Sequence, residues 1–389
     1  MRARLRGYVQ FFVENSLLLI AGTVAGLLWA NIDFDSYSFI SHHLHFVIND
    51  IGMAFFFGIA AKEVFEALLP GGPLDSIKKA AMPVMATIGG MILPALLYIS
   101  GAMLLSRGDL LKGWAIPCAT DIAFSYMVAR FVFGAKHPAI AFLLILAIAD
   151  DALGLIILAL FYPAGSINLL IFLLLLSAAL ASAFVLRRLK VVSFWPYILI
   201  SGSLSWFGFH LGGFHPALAL VPVIPVMPHA GRDIGMFEEA KEDLTDTLNR
   251  FEHWWEHPVE VILGLFGLVN AGVVFTSISA GTWLVLIGLL AGKPLGICLF
   301  CVIGRLFGLR LPARLRWKDI AVIGCAASIG FTVSLFVSTV AFASGENLDA
   351  VKMGSLLSFA GILITIAVAK LIRVREDQPQ MNTDEHGKK

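Results

Sequence analysis

The sequence predicts an all-α polytopic membrane protein with about twelve transmembrane helices. Three observations carry that reading. Of 389 residues, 58% are hydrophobic and only 14% are charged, and the mean hydropathy of +0.86 is far above that of a soluble globular chain. Apolar stretches long enough to cross a bilayer recur along the whole sequence, each bounded by glycine, proline or charge. Basic residues fall almost wholly on one side once those stretches are threaded as alternating spans. The partner this composition demands is the lipid bilayer; a formal net charge of +1 gives no hint of a nucleic acid.

Arg2, Arg4 and Arg6 precede an apolar run from about Phe11 to Ala30. That run is too long for the core of a signal peptide and reads as a first, uncleaved span. Further spans centre near residues 57, 92, 121, 150, 176, 202, 221, 268, 295, 331 and 362. The one near 221 is the weakest, because Pro216, Pro222, Pro225 and Pro228 crowd it. An even count puts both termini on one side. Placing them in the cytoplasm brings Lys78, Lys79, Arg187, Arg188, Lys190, Arg305 and Arg310 inside and leaves Arg107, Lys112 and Lys352 outside. His42, His43 and His45 read as histidines of a first external loop, from about Asn31 to Asn49, and not as a metal site. The stretch 229–256 reads as a polar cytoplasmic loop, and 376–389 as a disordered tail. Cys118, Cys298, Cys301 and Cys325 sit in apolar runs as small hydrophobes, and the Cys298–Cys301 spacing has no histidine partner to suggest a metal.

Two spans are interrupted in a way that ordinary spanning helices avoid. The fourth carries Pro117, Thr120 and Asp121 at its centre, and the eleventh runs Gly324-Cys-Ala-Ala-Ser328-Ile-Gly330. They run in opposite directions, and each belongs to a three-span block, roughly 79–162 and 282–373. Paired broken segments at corresponding positions point to an inverted-repeat secondary transporter, one integral domain over 1–389, with its site at mid-membrane.

Asp150 and Asp151 lie side by side within an otherwise uncharged run from Phe142 to Phe161. One ionised carboxylate at mid-bilayer costs at least ~2.5 kcal/mol, and a neighbouring one adds repulsion. Such a pair is kept only where its charge is traded. Lys293, between Gly292 and Pro294 in a deformable stretch, is the cation buried within the spans, and each charge stabilises the other. Asp121 fits either a helix cap at the break or a direct ligand, and Thr120 with unwound carbonyls adds oxygens. A small hard cation such as Na⁺ or Li⁺ competes with protons for carboxylates of this kind, which is the minimum for exchange. The expected arrangement has Asp151 as the main shared cation and proton site and Asp150 paired to Lys293, as a functional or purely structural counter-ion. Glu63 and Glu66 read as solvated ends of the second span. The competing readings are an intramembrane aspartyl protease using Asp121 with one of the pair, an organic-anion symporter, and a passive channel.

Six stretches carry a resemblance to a known family: Gly113-Trp-Ala-Ile-Pro-Cys-Ala-Thr-Asp-Ile-Ala-Phe124, Ala147-Ile-Ala-Asp-Asp-Ala-Leu-Gly154, Gly292-Lys-Pro-Leu-Gly-Ile297, Val269-Asn-Ala-Gly-Val273, Ile88-Gly-Gly-Met-Ile-Leu-Pro-Ala-Leu-Leu-Tyr98 and Ser328-Ile-Gly-Phe-Thr332. Together they resemble the NhaA family of bacterial Na⁺/H⁺ antiporters over nearly the whole chain. The resemblance implies an electrogenic antiporter of the bacterial inner membrane that expels Na⁺ or Li⁺ for more than one H⁺, without a cofactor. It implies crossed broken helices at Thr120-Asp121 and Gly324–Gly330, with Asp151 as the essential acid, Asp150 its partner and Lys293 the lysine paired to Asp150. Glu63, Glu252 and His253 match members of a cytoplasmic cluster associated with activation at alkaline pH. The chain departs from the family after Glu63-Val64, where Phe65-Glu66 replaces a basic residue and an acid. Its first external loop also looks too short for the β-hairpin that joins a homodimer.

Overall fold

The computed structural model describes residues 17–229, 246–312 and 314–374, without the side chains of 77–79. Arg2, Arg4, Arg6, most of the expected cytoplasmic loop and the tail lie outside the described residues. Within them every regular element is helical: α1 (Leu17–Ile32), α2 (Phe34–Leu68), α3 (Ile77–Leu104), α4 (Gly108–Cys118), α5 (Ile122–Phe133), α6 (Pro138–Phe161), α7 (Leu169–Arg188), α8 (Ser203–Gly212), α9 (Thr247–Asn270), α10 (Ala280–Leu306), α11 (Trp317–Ala327), α12 (Phe331–Ala341) and α13 (Glu346–Leu371). Six of them are long and apolar enough to cross a membrane. The count reaches eight when the bent pairs α4 with α5, at 51°, and α11 with α12, at 48°, are each taken as one span. In lipid a helix satisfies its own backbone, so an apolar chain of this kind has no other regular option except a closed barrel.

Each bent pair lies between two long helices in sequence, α3 and α6 around the first, α10 and α13 around the second. The two groups meet through α3 against α10. That contact is a glycine contact: a Cβ on Gly89 would run into the carbonyl of Gly296, and one on Gly296 into the carbonyl of Gly89. Small residues let helix backbones approach closely where lipid gives no hydrophobic drive between helices. A second link is Thr87, buried on α3, whose hydroxyl donates to the carbonyls of Pro83 and Leu146, both at 3.0 Å, tying α3 to α6.

The polar stretch 31–49 differs from its reading as a loop. Asp33 accepts from the amide of Ser36, opening a helix that runs on through a π-helical segment, Phe46–Gly52, into the apolar half of α2. His42, His43 and His45 therefore stand on a helix. Its anchor is the end of α9, because Tyr37 and Ser41 both donate to the carbonyl of Val269 and the amide of Gly272 donates to Tyr37. The expected loop 229–256 is likewise shortened. Asp246 caps the amide of Asn249 at 2.8 Å, and α9 is already helical through Glu252, His253 and Glu256.

Candidate cation site

Both interruptions arise from local chemistry. Pro117 lacks an amide donor and stands in the 3₁₀ turn Ile116–Cys118, after which the chain runs as extended backbone from Ala119 to Asp121. The second break falls at Ser328–Gly330; Gly324 lies inside α11, packed against Pro294. The breaks touch. The amide of Asp121 donates to the carbonyl of Ile329 at 2.7 Å, and the hydroxyl of Thr120 donates to that of Ala327 at 3.1 Å. Gly330 leaves room for the carbonyl of Ala119 and for Ser334, which a side chain there would meet.

Four half-helix ends converge at this crossing, and side chains answer their partial charges. Asp121 answers two N-termini at once. One carboxylate oxygen accepts from the amide of Phe124 at 3.4 Å, and the other accepts from the amide of Thr332 at 3.1 Å and from the Thr332 hydroxyl. Lys293 answers a C-terminus, donating to the carbonyl of Cys118 at the end of α4. It follows directly on a π-helical segment, Gly288–Gly292, so the deformable stretch around it is realised as a wider helical turn. Interruptions of that kind are frequent at functional sites.

The second bond of Lys293 reaches Asp150, with 2.9 Å between Nζ and Oδ2 and both side chains almost wholly buried. The other oxygen, Oδ1 of Asp150, is buried with no hydrogen-bond partner among the described residues. A carboxylate oxygen left so is costly unless something meets it. Asp150 and Asp151 line the same cavity, together with Phe56, Phe57, Met91, Ala115, Cys118, Gly154, Val333 and Val337. The cavity volume is about 30 Å³, where one water needs roughly 10–15 Å³. That is room for one or two bodies the size of a water, with both carboxylates on the lining.

The crossing therefore brings together Asp150, Asp151 and Lys293, with Asp121 next to them but spent on backbone amides. Thr120 is buried and bonded to Ala327, and it does not line the cavity. A second ionic group stands elsewhere on α2 and α9. Lys62, a residue the sequence reading passed over, is buried and bridges Glu66 and Glu252, each at 2.5 Å. It supplies the positive charge that the motif after Glu63-Val64 lacks, from the residue before it. The available signal was its spacing of four from Glu66. Glu66 is thus ion-paired and not simply solvated. Glu63 is half-buried next in sequence, and His253 is exposed on α9. All four cysteines are free thiols, and no group of three or more metal-ligating side chains occurs among the described residues.

A helical membrane bundle whose two bent helix pairs meet beside a buried aspartate–lysine pair and a second aspartate belongs to the class of secondary ion transporters. The profile of the family described as Na⁺/H⁺ antiporter 1 matches residues 9–371, and the chain belongs to that family. The Na⁺/H⁺ antiporter NhaA of Jannaschia sp. is 47% identical over 95% of this chain and 98% of its own length. The NhaA antiporter of Geobacter sulfurreducens is 45% identical over 95% and 99%, and that of Desulfitobacterium hafniense 44% over 95% and 97%. Among solved structures, the sodium proton antiporter of Methanocaldococcus jannaschii at pH 8 superposes with a TM-score of 0.53 at 15% identity, covering 96% of this chain and 98% of that one. At that identity the likeness shows the fold alone. The protein is a multi-pass Na⁺/H⁺ antiporter whose substrates are the transported ions; it needs no cofactor and is not an enzyme, which removes the protease reading.

Proposed function

We propose that the chain is an electrogenic antiporter that expels Na⁺ or Li⁺ for more than one H⁺, with the Asp150–Asp151–Lys293 group as its exchange site. The observation that carries this is the unpartnered Oδ1 of Asp150 on a cavity shared with Asp151, while Oδ2 is held by Lys293. Consider the site carrying protons, with Asp151 neutral and Lys293 charged against ionised Asp150; its net charge is zero. When a monovalent cation binds between two ionised aspartates, both remaining protons leave, and the site carries a net charge of −1. One cation then travels one way and two protons the other, so each cycle moves charge. Coupled groups of this kind titrate together, and the protons belong to the cluster.

The wider reading has twelve crossings in two inverted three-span blocks, 79–162 and 282–373, both termini in the cytoplasm of a bacterial inner membrane, and α4–α5 and α11–α12 as crossed broken spans. Glu252, paired to Lys62, with Glu63 and His253 next to those two in sequence, would set the pH at which transport turns on. Helical structure at 34–45 supplies no hairpin there, so a homodimer would rest on other contacts. Organic-anion symport finds no support among the relatives.

The test is reconstitution in proteoliposomes with an internal pH dye. Na⁺ or Li⁺ drives proton movement in the wild type and none in Asp151→Asn, and the rate responds to an imposed potassium-diffusion potential. Absence of proton movement with Na⁺, Li⁺ and K⁺ in correctly inserted protein refutes the exchange site; a rate indifferent to potential refutes electrogenicity.

A further inference from the structure

The first half of the first bent pair is not one continuous helix. It consists of two 3₁₀ turns, Gly108–Gly113 and Ile116–Cys118, separated by Trp114 and Ala115. In a continuous 3₁₀ helix the carbonyl of Lys112 would accept from the amide of Ala115. Here both groups turn to one atom outside the helix: the hydroxyl of Tyr162 donates to the Lys112 carbonyl at 2.7 Å and accepts from the Ala115 amide at 3.3 Å. The ring is buried, with Trp114 at 6.4 Å and 29° on one side and Phe161 next to it in sequence. Tyr162 thus occupies the place of a backbone hydrogen bond.

Its position gives that bond a consequence. Tyr162 follows directly on α6, the helix that bears Asp150 and Asp151. Ala115 leads into the turn that ends at Cys118, whose carbonyl receives Lys293. Ala115, Cys118 and both aspartates line one cavity. A single hydroxyl therefore joins the end of the acid-bearing helix to the turn that lines the cavity with the two aspartates. Without that hydroxyl, a direct bond from the Ala115 amide to the Lys112 carbonyl would replace two hydrogen bonds by one.

We propose that Tyr162 is a positioning residue for cation exchange: its hydroxyl sets the register of the Ile116–Cys118 turn against Asp150 and Asp151, and this stitch is remade when the cavity loads. The proposal rests on the assignment of the aspartate pair as the exchange site.

The experiment compares wild type, Tyr162→Phe and Asp151→Asn in the proteoliposome assay, with amide hydrogen exchange on the wild type with and without Na⁺. Tyr162→Phe is expected to raise the KM for Na⁺ about fivefold, the factor for one net hydrogen bond of about 1 kcal/mol, with maximal rate within about twofold and the melting midpoint little changed. In the wild type, Na⁺ is expected to slow exchange in the segment 112–118. An unchanged KM in folded Tyr162→Phe overturns the proposal, as does a joint fall of rate and melting midpoint with KM unmoved. Should Tyr162→Phe fail to fold, Na⁺-insensitive exchange at 112–118 in the wild type overturns it alone. Asp151→Asn separates the two readings: if it still exchanges Na⁺ for protons, the site assignment falls and takes the stitch with it. If it is inactive and Tyr162→Phe behaves as wild type, only the stitch falls.

Discussion

Replacing Lys293 by methionine keeps the length and apolar stem of the side chain and deletes its charge. In the structure Nζ has two partners, Asp150 Oδ2 at 2.9 Å and the carbonyl of Cys118, and the two charged side chains are 1% and 2% exposed. Solvent screening is therefore slight. The substitution leaves Asp150 with neither oxygen paired, since Oδ1 already lacks a hydrogen bond. Removing one partner of a buried pair typically costs about 3–5 kcal/mol, most of it from the charge left behind. At roughly 2–4 °C per kcal/mol, the midpoint of thermal unfolding in detergent should fall on the order of 10 °C. Asp150→Asn on the Lys293→Met background removes that stranded charge, so the double variant should regain more than half of the loss. The assay is a double-mutant cycle of melting midpoints at fixed detergent and salt. Strictly additive losses, or a Lys293→Met protein that melts with the wild type, would refute the claim that this pair is a buried, mutually dependent unit.

Three further outcomes follow from the geometry. Asp121→Asn keeps an acceptor for the amide caps and should fold and retain measurable exchange, whereas Asp121→Ala uncaps α5 and α12 together and should lose about 2–4 kcal/mol and most transport; equal behaviour of the two in melting and flux assays would remove the capping role. Gly296→Val places a branched side chain against the backbone of Gly89 and should sharply reduce the yield of monodisperse protein on size-exclusion chromatography, with Gly308→Ala, a surface position with open space, as a control for glycine loss that strains only the local backbone. Lys62→Met removes the buried cation that bridges Glu66 and Glu252 between α2 and α9; because those acids are 21% and 35% exposed, the expected cost is only about 1–2 kcal/mol. Lys62→Arg should restore the melting midpoint.

Much of this site can be read from the chain because its signals are local. A doubled aspartate in an apolar run is costly wherever the helix lies, and proline with threonine and aspartate interrupts a span whatever packs against it. Hydropathy likewise gives the membrane class without any tertiary information. The errors have a common origin in neighbours that are distant in sequence. The stretch 34–45 is polar enough to read as a loop, yet it becomes helix because Asp33 caps it and Tyr37 and Ser41 find the carbonyl of Val269 on α9. Lys62 was passed over because its meaning depends on Glu252, 190 residues away.

The sequence by itself determined that this protein lives in a bilayer, that two of its apolar stretches are interrupted, and that two carboxylates and a lysine stand in apolar runs, since each is legible from the cost of placing a particular group in hydrocarbon. Only the tertiary structure decided how those groups are divided. It spends Asp121 and Thr120 on the crossing, gives one oxygen of Asp150 to Lys293, leaves the other on a cavity with Asp151, and inserts Tyr162 into the wall. Hydrogen bonds act over about 3 Å, and which atoms come that close is settled by the packing of helices far apart in the chain.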